Sequence, residues 1–176
     1  MSNKRKNRAK KHASSGRTFN KEIAWQTIKA SLIGCVLTPQ SEKAHTSLML
    51  KAYGSLVALE SGHLDHEGYY MLNFMNTFFF CMSVTLDEHG SDAVKAEMQK
   101  NIQFTAAVTD ALVAINERYQ RVKRYGGTGE QLQQIRAMVM ALDRLAEATP
   151  VGMVLKSIQA AQDMIDRYLG KKTRAA

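Results

Sequence analysis

Three clusters in the sequence carry side chains able to do chemistry. The first is HLDHEG at 63–68, which brings His63, Asp65, His66 and Glu67 together. Imidazoles and carboxylates are metal ligands, but this spacing matches no established zinc or two-metal pattern. The same residues make ordinary helix-start chemistry. Asp65 is placed to cap a helix, and Glu67 complements the positive end of its dipole. The sequence predicts no metal site and no cofactor.

The second cluster is RYQRVKRY at 118–125, where Arg118, Arg121, Lys123 and Arg124 crowd two tyrosines. Cations at a helix C-terminus gain about 0.3–1 kcal/mol each from the dipole. That alone accounts for them; the alternative is a secondary basic patch for phosphate or an acidic partner. Glu117 stands four residues before Arg121, where an ion pair would dilute such a patch. The loop that follows, Gly126-Gly127-Thr128-Gly129, is glycine-rich. It lacks the lysine of a phosphate-binding loop, and no strand precedes it, so it reads as a turn.

The third cluster is the N-terminal arm. Residues 1–18 hold seven cations, Lys4, Arg5, Lys6, Arg8, Lys10, Lys11 and Arg17, and no acid. The net charge of the chain is +8, of which this arm carries +7 and the last six residues +3. Residues 19–170 hold 14 basic and 16 acidic residues, a balance of −2. The basic character therefore belongs to the ends, whereas a basic nucleic-acid-binding domain carries its charge on a folded face. Such an arm suits contact with the phosphate backbone. It has no aromatic residue before Phe19 to stack on bases, so the expected contact is nonspecific.

No nucleophile elbow, serine–histidine–aspartate set or thiol–histidine motif is legible. Asp163 and Asp166 share a helix surface with Arg167 beside them, which reads as solvation. The expectation is a non-enzymatic protein with no catalytic residues. Its two cysteines, Cys35 and Cys81, lie far apart in apolar surroundings and form no disulfide framework. That usage fits a reducing, cytoplasmic setting. The basic start runs into Ala13-Ser14-Ser15-Gly16 rather than an apolar run, which argues against a secretory signal. The most apolar stretch, 69–86, is broken by Asn73 and Asn76 and makes a poor membrane span.

The elements that must position these residues all read as helices. The arm has too little apolar content to offset ordering entropy and is expected to be disordered. Asn20 can cap a helix with Trp25, Ile28, Leu32 and Val36 on one face, although LIGCVL at 32–37 allows a strand-like finish. Thr38-Pro39 opens the next helix, with His45, Met49, Ala52, Leu56 and Leu59 in a stripe and Ser61-Gly62 at its end. Asp65 starts a helix over about 66–88 whose Met71, Leu72, Met75, Phe78, Phe79, Met82 and Leu86 cover most of its circumference. Asn73, Asn76, Thr77 and Ser83 are expected on its other side.

No proline or glycine interrupts Asp92–Tyr125, so one helix there would span about 50 Å. Its 4-3 stripe meets polar Asn101 and Thr105, and a shift of the stripe to Ile102 is favoured over a polar seam that fixes register. Thr128 with Gln131 forms a capping box for a helix over 129–148 lined by Leu132, Ile135, Met138 or Val139, Leu142 and Leu145. Thr149-Pro150 opens the last helix, with Val151, Val154, Ile158, Ile165 and Leu169 inward and Gly170 at its end. All-helical elements with short connections imply an all-α antiparallel bundle of about five helices. Three segments follow: arm 1–18, bundle 19–170 and basic tail 171–176.

This layout resembles a loose group of uncharacterised helical proteins of tailed phages, prophages and proteobacteria. The likeness lies in the Lys/Arg-rich leader, the helix ending at Leu59-Glu60-Ser61-Gly62 and the basic helix end at Arg118–Arg124. The Thr128-Gly129-Glu130 turn before two closing helices completes it. The methionine- and phenylalanine-heavy central helix departs from the group. The resemblance implies a small accessory protein of a phage or mobile element and transfers no activity and no site residues. The expected partner is nucleic acid or an acidic protein, with no membrane. The alternative is an interaction module, or inhibitor of a host factor, acting through the bundle surface. The long helix would serve a homodimer in either case.

Overall fold

A computed structural model of the chain describes residues 41–173, with side chains from 46 to 170. The arm, the segment around Trp25, Cys35, the Thr38-Pro39 cap and the side chain of His45 lie outside the described residues. Within them the chain forms five helices and no strand: α1 (Ser41–Glu60), α2 (His66–His89), α3 (Asp92–Val122), α4 (Gly129–Ala148) and α5 (Val151–Thr173).

The punctuation follows the sequence signals. The Asp65 carboxylate accepts from the Gly68 amide at 2.8 Å. Thr128 and Gln131 close the capping box, with the Thr128 amide donating to Gln131 Oε1 at 2.8 Å and the Gln131 amide to Thr128 Oγ1 at 3.3 Å. α1 ends in a Schellman motif. His63 N–H donates to the Ala58 carbonyl and Gly62 N–H to Leu59, with Gly62 at φ +73°, where an L side chain is strained. Two ends differ from expectation. α3 stops at Val122 because Lys123 takes the left-handed conformation (φ 56°, ψ 26°). α5 passes through Gly170 and continues to Thr173, since an isolated glycine weakens a helix without compelling it to stop.

α2 is the axis. It packs against α1, α3, α4 and α5, and Leu72, Phe74, Met75, Phe78, Phe79 and Met82 on it are fully buried. Cross-helix bonds give the directions. Tyr69 Oη reaches the Leu112 carbonyl and Asn76 Nδ2 reaches Thr105 O and Thr109 Oγ1, so α3 runs antiparallel to α2. Cys81 Sγ lies 3.5 Å from Met164 Sδ and Ser157 Oγ lies 3.3 Å from Thr85 Oγ1, so α5 does too. Tyr53 Oη donates to Asp143 and Arg136 pairs with Glu60, which runs α4 antiparallel to α1.

The polar side expected for α2 is not a solvated face. Asn76 and Ser83 are buried. Asn73, Thr77, Ser83 and Thr85 each bond the carbonyl four residues back, on Tyr69, Asn73, Phe79 and Cys81. A side chain that returns its hydrogen bond to its own helix keeps a partner for its donor where it sits against a neighbour. On α3 Asn101 and Ile102 are both half-buried, so the stripe shifts only partly to Ile102. Thr105 is buried between Met98 and Val108 and its carbonyl accepts from Asn76. Thr105 therefore keeps a polar residue on the seam, its hydroxyl returned to the Ile102 carbonyl of its own helix. Val151, expected inward, is 47% exposed, and Val122 on α3 is 62% exposed; both sit at helix ends.

Burial of Cys81 pushes its thiol up to about 11, as its apolar surroundings imply. Phe78 is surrounded completely, so Phe78→Ala is expected to destabilise the bundle by about 3–5 kcal/mol. Urea unfolding followed by circular dichroism measures it, and a loss under about 1 kcal/mol would contradict the central place of α2.

Candidate functional site

Two turns meet at one end of the bundle: 61–65 between α1 and α2, and 123–128 between α3 and α4. The left-handed Lys123 reverses the chain there and tucks Tyr125 inward to 3% exposure. His66, at the start of α2, is held between two tyrosines. Its Nδ1 lies 2.5 Å from Tyr125 Oη and its Nε2 2.9 Å from Tyr119 Oη. Tyr119 and Tyr125 stack with centroids 4.3 Å apart, and Tyr69 stacks on Tyr125 at 4.9 Å. Such offset ring pairs contribute about 0.5–1.5 kcal/mol beyond their burial.

The protonation chemistry of this knot follows from its burial. A neutral imidazole has one N–H and one bare nitrogen, so one tyrosine hydroxyl donates to His66 and the other accepts from it. Desolvation lowers the His66 pKa, and the nearby Asp65 charge opposes that shift. Burial raises Tyr125 far above the ordinary phenol value and pushes Tyr70 up to about 12, in both cases reinforced by neighbouring tyrosines. These hydroxyls are neutral hydrogen-bonding groups rather than bases.

The metal-ligand cluster read at 63–68 does not assemble. Among the described residues no three His, Cys, Asp or Glu side chains come together as a metal site. Asp65 is spent on its cap and His66 is turned to the tyrosines. His63, Asp65 and Glu67 instead line an open cavity of about 290 Å³ with Lys51, Ser55 and Gly68. Gly68 is closely approached there: a Cβ on it would stand 2.6 Å from Leu64 Cδ1 and 3.3 Å from Ser55 Oγ.

The basic patch splits into two kinds of cation. Arg118 Nη1 donates to the Gly126 carbonyl at 3.1 Å, and Arg124 Nε donates to the Gly62 carbonyl at 3.0 Å. Arg124 thereby ties the two turns together, its guanidinium lying where a side chain on Gly62 would be. Lys123 holds its Nζ 5.7 Å from the centre of the Tyr119 ring, a cation–π distance. Arg121 is exposed. The Glu117–Arg121 pair expected from spacing is not formed: the ion pairs between described residues are Lys100–Glu97 and Arg136–Glu60. None of the four cations is therefore cancelled by a carboxylate. Asp163 is exposed and accepts from Gln159 Nε2 at 3.0 Å, in line with the solvation reading.

The seven arm cations lie outside the described residues. The His66–Tyr119–Tyr125 knot was not legible beforehand, because its members stand 53 and 59 residues apart and carry no local pattern. The one available signal was a pair of tyrosines among arginines. The fold and this site define a small all-α bundle with a cationic end. Comparison with protein-family models, curated proteins and solved structures gave no match. No described helix is long and apolar enough to cross a membrane.

A lowered His66 pKa means that unfolding takes up a proton, so this contribution to stability is complete above about pH 6.5, the unfolded value, and falls as pH drops toward the folded value. Stability measured from about pH 7.5 down to 5.5 is expected to decline. His66→Gln should flatten part of that slope; an unchanged slope would show that His66 does not titrate with folding.

Proposed function

We propose that this chain is a non-enzymatic accessory protein of a phage or mobile element that grips nucleic-acid backbone through its basic N-terminal arm. The observation that carries this reading is charge placement: seven cations and no acid in residues 1–18, beside a body of 14 basic and 16 acidic residues. Each phosphate neutralised by Lys or Arg releases condensed counterions, and that release supplies affinity without sequence preference. The layout of leader, central helix, basic helix end and two closing helices supports the accessory-protein part.

A second reading, contact with a protein through the bundle surface, is favoured by α1. Leu50 and Val57, seven residues apart on one face, are 67% and 62% exposed. A contiguous exposed apolar patch marks an interaction site, and Leu50 and Val57 would anchor one on this helix.

One experiment separates the two. With about six phosphates neutralised, log K for duplex DNA should fall against log salt with a slope near −5, and less steeply for single strands. Deleting residues 2–18 is expected to abolish that binding while leaving helicity and melting unchanged. Unchanged DNA and RNA affinity in the deleted protein would overturn the arm reading. A pull-down in which residues 19–176 keep a protein partner would favour the second.

A further inference from the structure

At the cationic end, a cavity of about 260 Å³ opens between the two turns. Arg118 and Arg124 line it, together with Gly62, the open backbone of Gly126 and the apolar walls of Val122 and Leu132. We propose that this cavity is a binding site for a phosphate group, held by the Arg118 and Arg124 guanidiniums. The proposal extends the phosphate chemistry of the arm to the folded body, and it stands or falls separately from the arm.

Three observations carry it. The first is unspent donors. A guanidinium has five N–H groups, and the bonds to Gly126 and Gly62 engage one donor nitrogen on each arginine. Those bonds fix both side chains at the wall of the cavity, so little rotamer freedom remains to be lost when an anion arrives. The second is charge balance. Glu60 is the acid that lines the cavity, and its Oε1 already accepts from Arg136 Nε and Nη2 at 3.1 and 2.8 Å. Neither Arg118 nor Arg124 takes part in an ion pair between described residues. The third is space. A Cβ added to Gly126 would meet nothing within 4 Å, so the backbone at the mouth is open to a ligand. Arginine in pairs is suited to oxyanions through parallel N–H···O bonds.

The shared chemistry is the phosphate oxyanion, and it has two sources: a phosphodiester of a nucleic-acid backbone, or a free or terminal phosphate. Melting of the full-length protein in inorganic phosphate is compared with melting in chloride at matched ionic strength. The phosphate is expected to raise the melting temperature and chloride is not. The rise should persist in a full-length protein with Lys4, Arg5, Lys6, Arg8, Lys10, Lys11 and Arg17 changed to Gln, and it should vanish in R118Q/R124Q. Because that double variant loosens the turns, the Arg118 and Arg124 Nε–H resonances of the wild-type protein are followed as well; both should shift with phosphate and not with chloride. Equal effects of the two salts, or a phosphate effect that survives R118Q/R124Q, would overturn the site. An effect lost only on neutralising the arm would assign phosphate to the arm and overturn the site equally. A short oligonucleotide with and without a 5′-phosphate then tells the sources apart. Stronger displacement of inorganic phosphate by the phosphorylated form supports a terminal-phosphate site, and equal displacement supports a backbone site.

Discussion

A helix buried over most of its circumference imposes its own terms on a small protein. α2 is such a helix: four others pack on it, and its buried residues run from Gly68 to Ser83 with few interruptions. Its backbone is satisfied internally, but each polar side chain it carries must also find a partner out of water. Most solve this within the helix, by bonding the carbonyl one turn back. Asn76 cannot: its amide nitrogen crosses to α3, and its Oδ1 is buried with no hydrogen-bond partner. A buried acceptor left unpaired costs about 1–3 kcal/mol. The Asn76 bonds to Thr105 and Thr109, with the Tyr69–Leu112 bond, hold the register between α2 and α3.

That register has consequences at the end of the bundle. With α3 packed against α2, Tyr119 and Tyr125, stacked on each other, both reach His66 with their hydroxyls. The stacked rings and the two hydroxyl bonds join the start of α2 to the last turn of α3 and the loop beyond. Arg124 adds a tie from that loop to the end of α1 at Gly62. Of the cations that a helix C-terminus would attract in any case, Arg124 thus fastens the two turns and Arg118 fastens α3 to the turn that follows it. They still carry their charge, since backbone carbonyls and not carboxylates receive them. A rigid end with uncancelled guanidiniums is a different object from a set of lysines on a free tail, although both address phosphate.

The body therefore has two features of its own beside the charge of the arm: the cationic cavity and the exposed Leu50–Val57 face. α5 touches chiefly α2, and its Ser157 and Ala161 are fully buried there. Small residues let it lie close, and the remaining surface of α5 stays in water.

The sequence alone determined the helices and most of their boundaries, because caps, glycines and apolar spacing are local. Asp65, Thr128 with Gln131 and Ser61-Gly62 act within a few residues of themselves, and each acts where its pattern placed it. Local signals failed where partners were distant. Thr105 is buried on its seam where Asn76 of another helix donates to its carbonyl, and Asn76 and Ser83 were buried because a neighbour covers them. α3 stopped at Val122 because the chain reversal at Lys123 is followed by Tyr125 docking on rings from two helices. His66 passed from metal candidate to ring clamp by the same route. Charge placement could be counted along the chain; which charges are tied, and which stay uncancelled, only the tertiary structure decided. Hydrogen bonds and ion pairs are decided by neighbours in space, and in a bundle most of those neighbours lie on other helices.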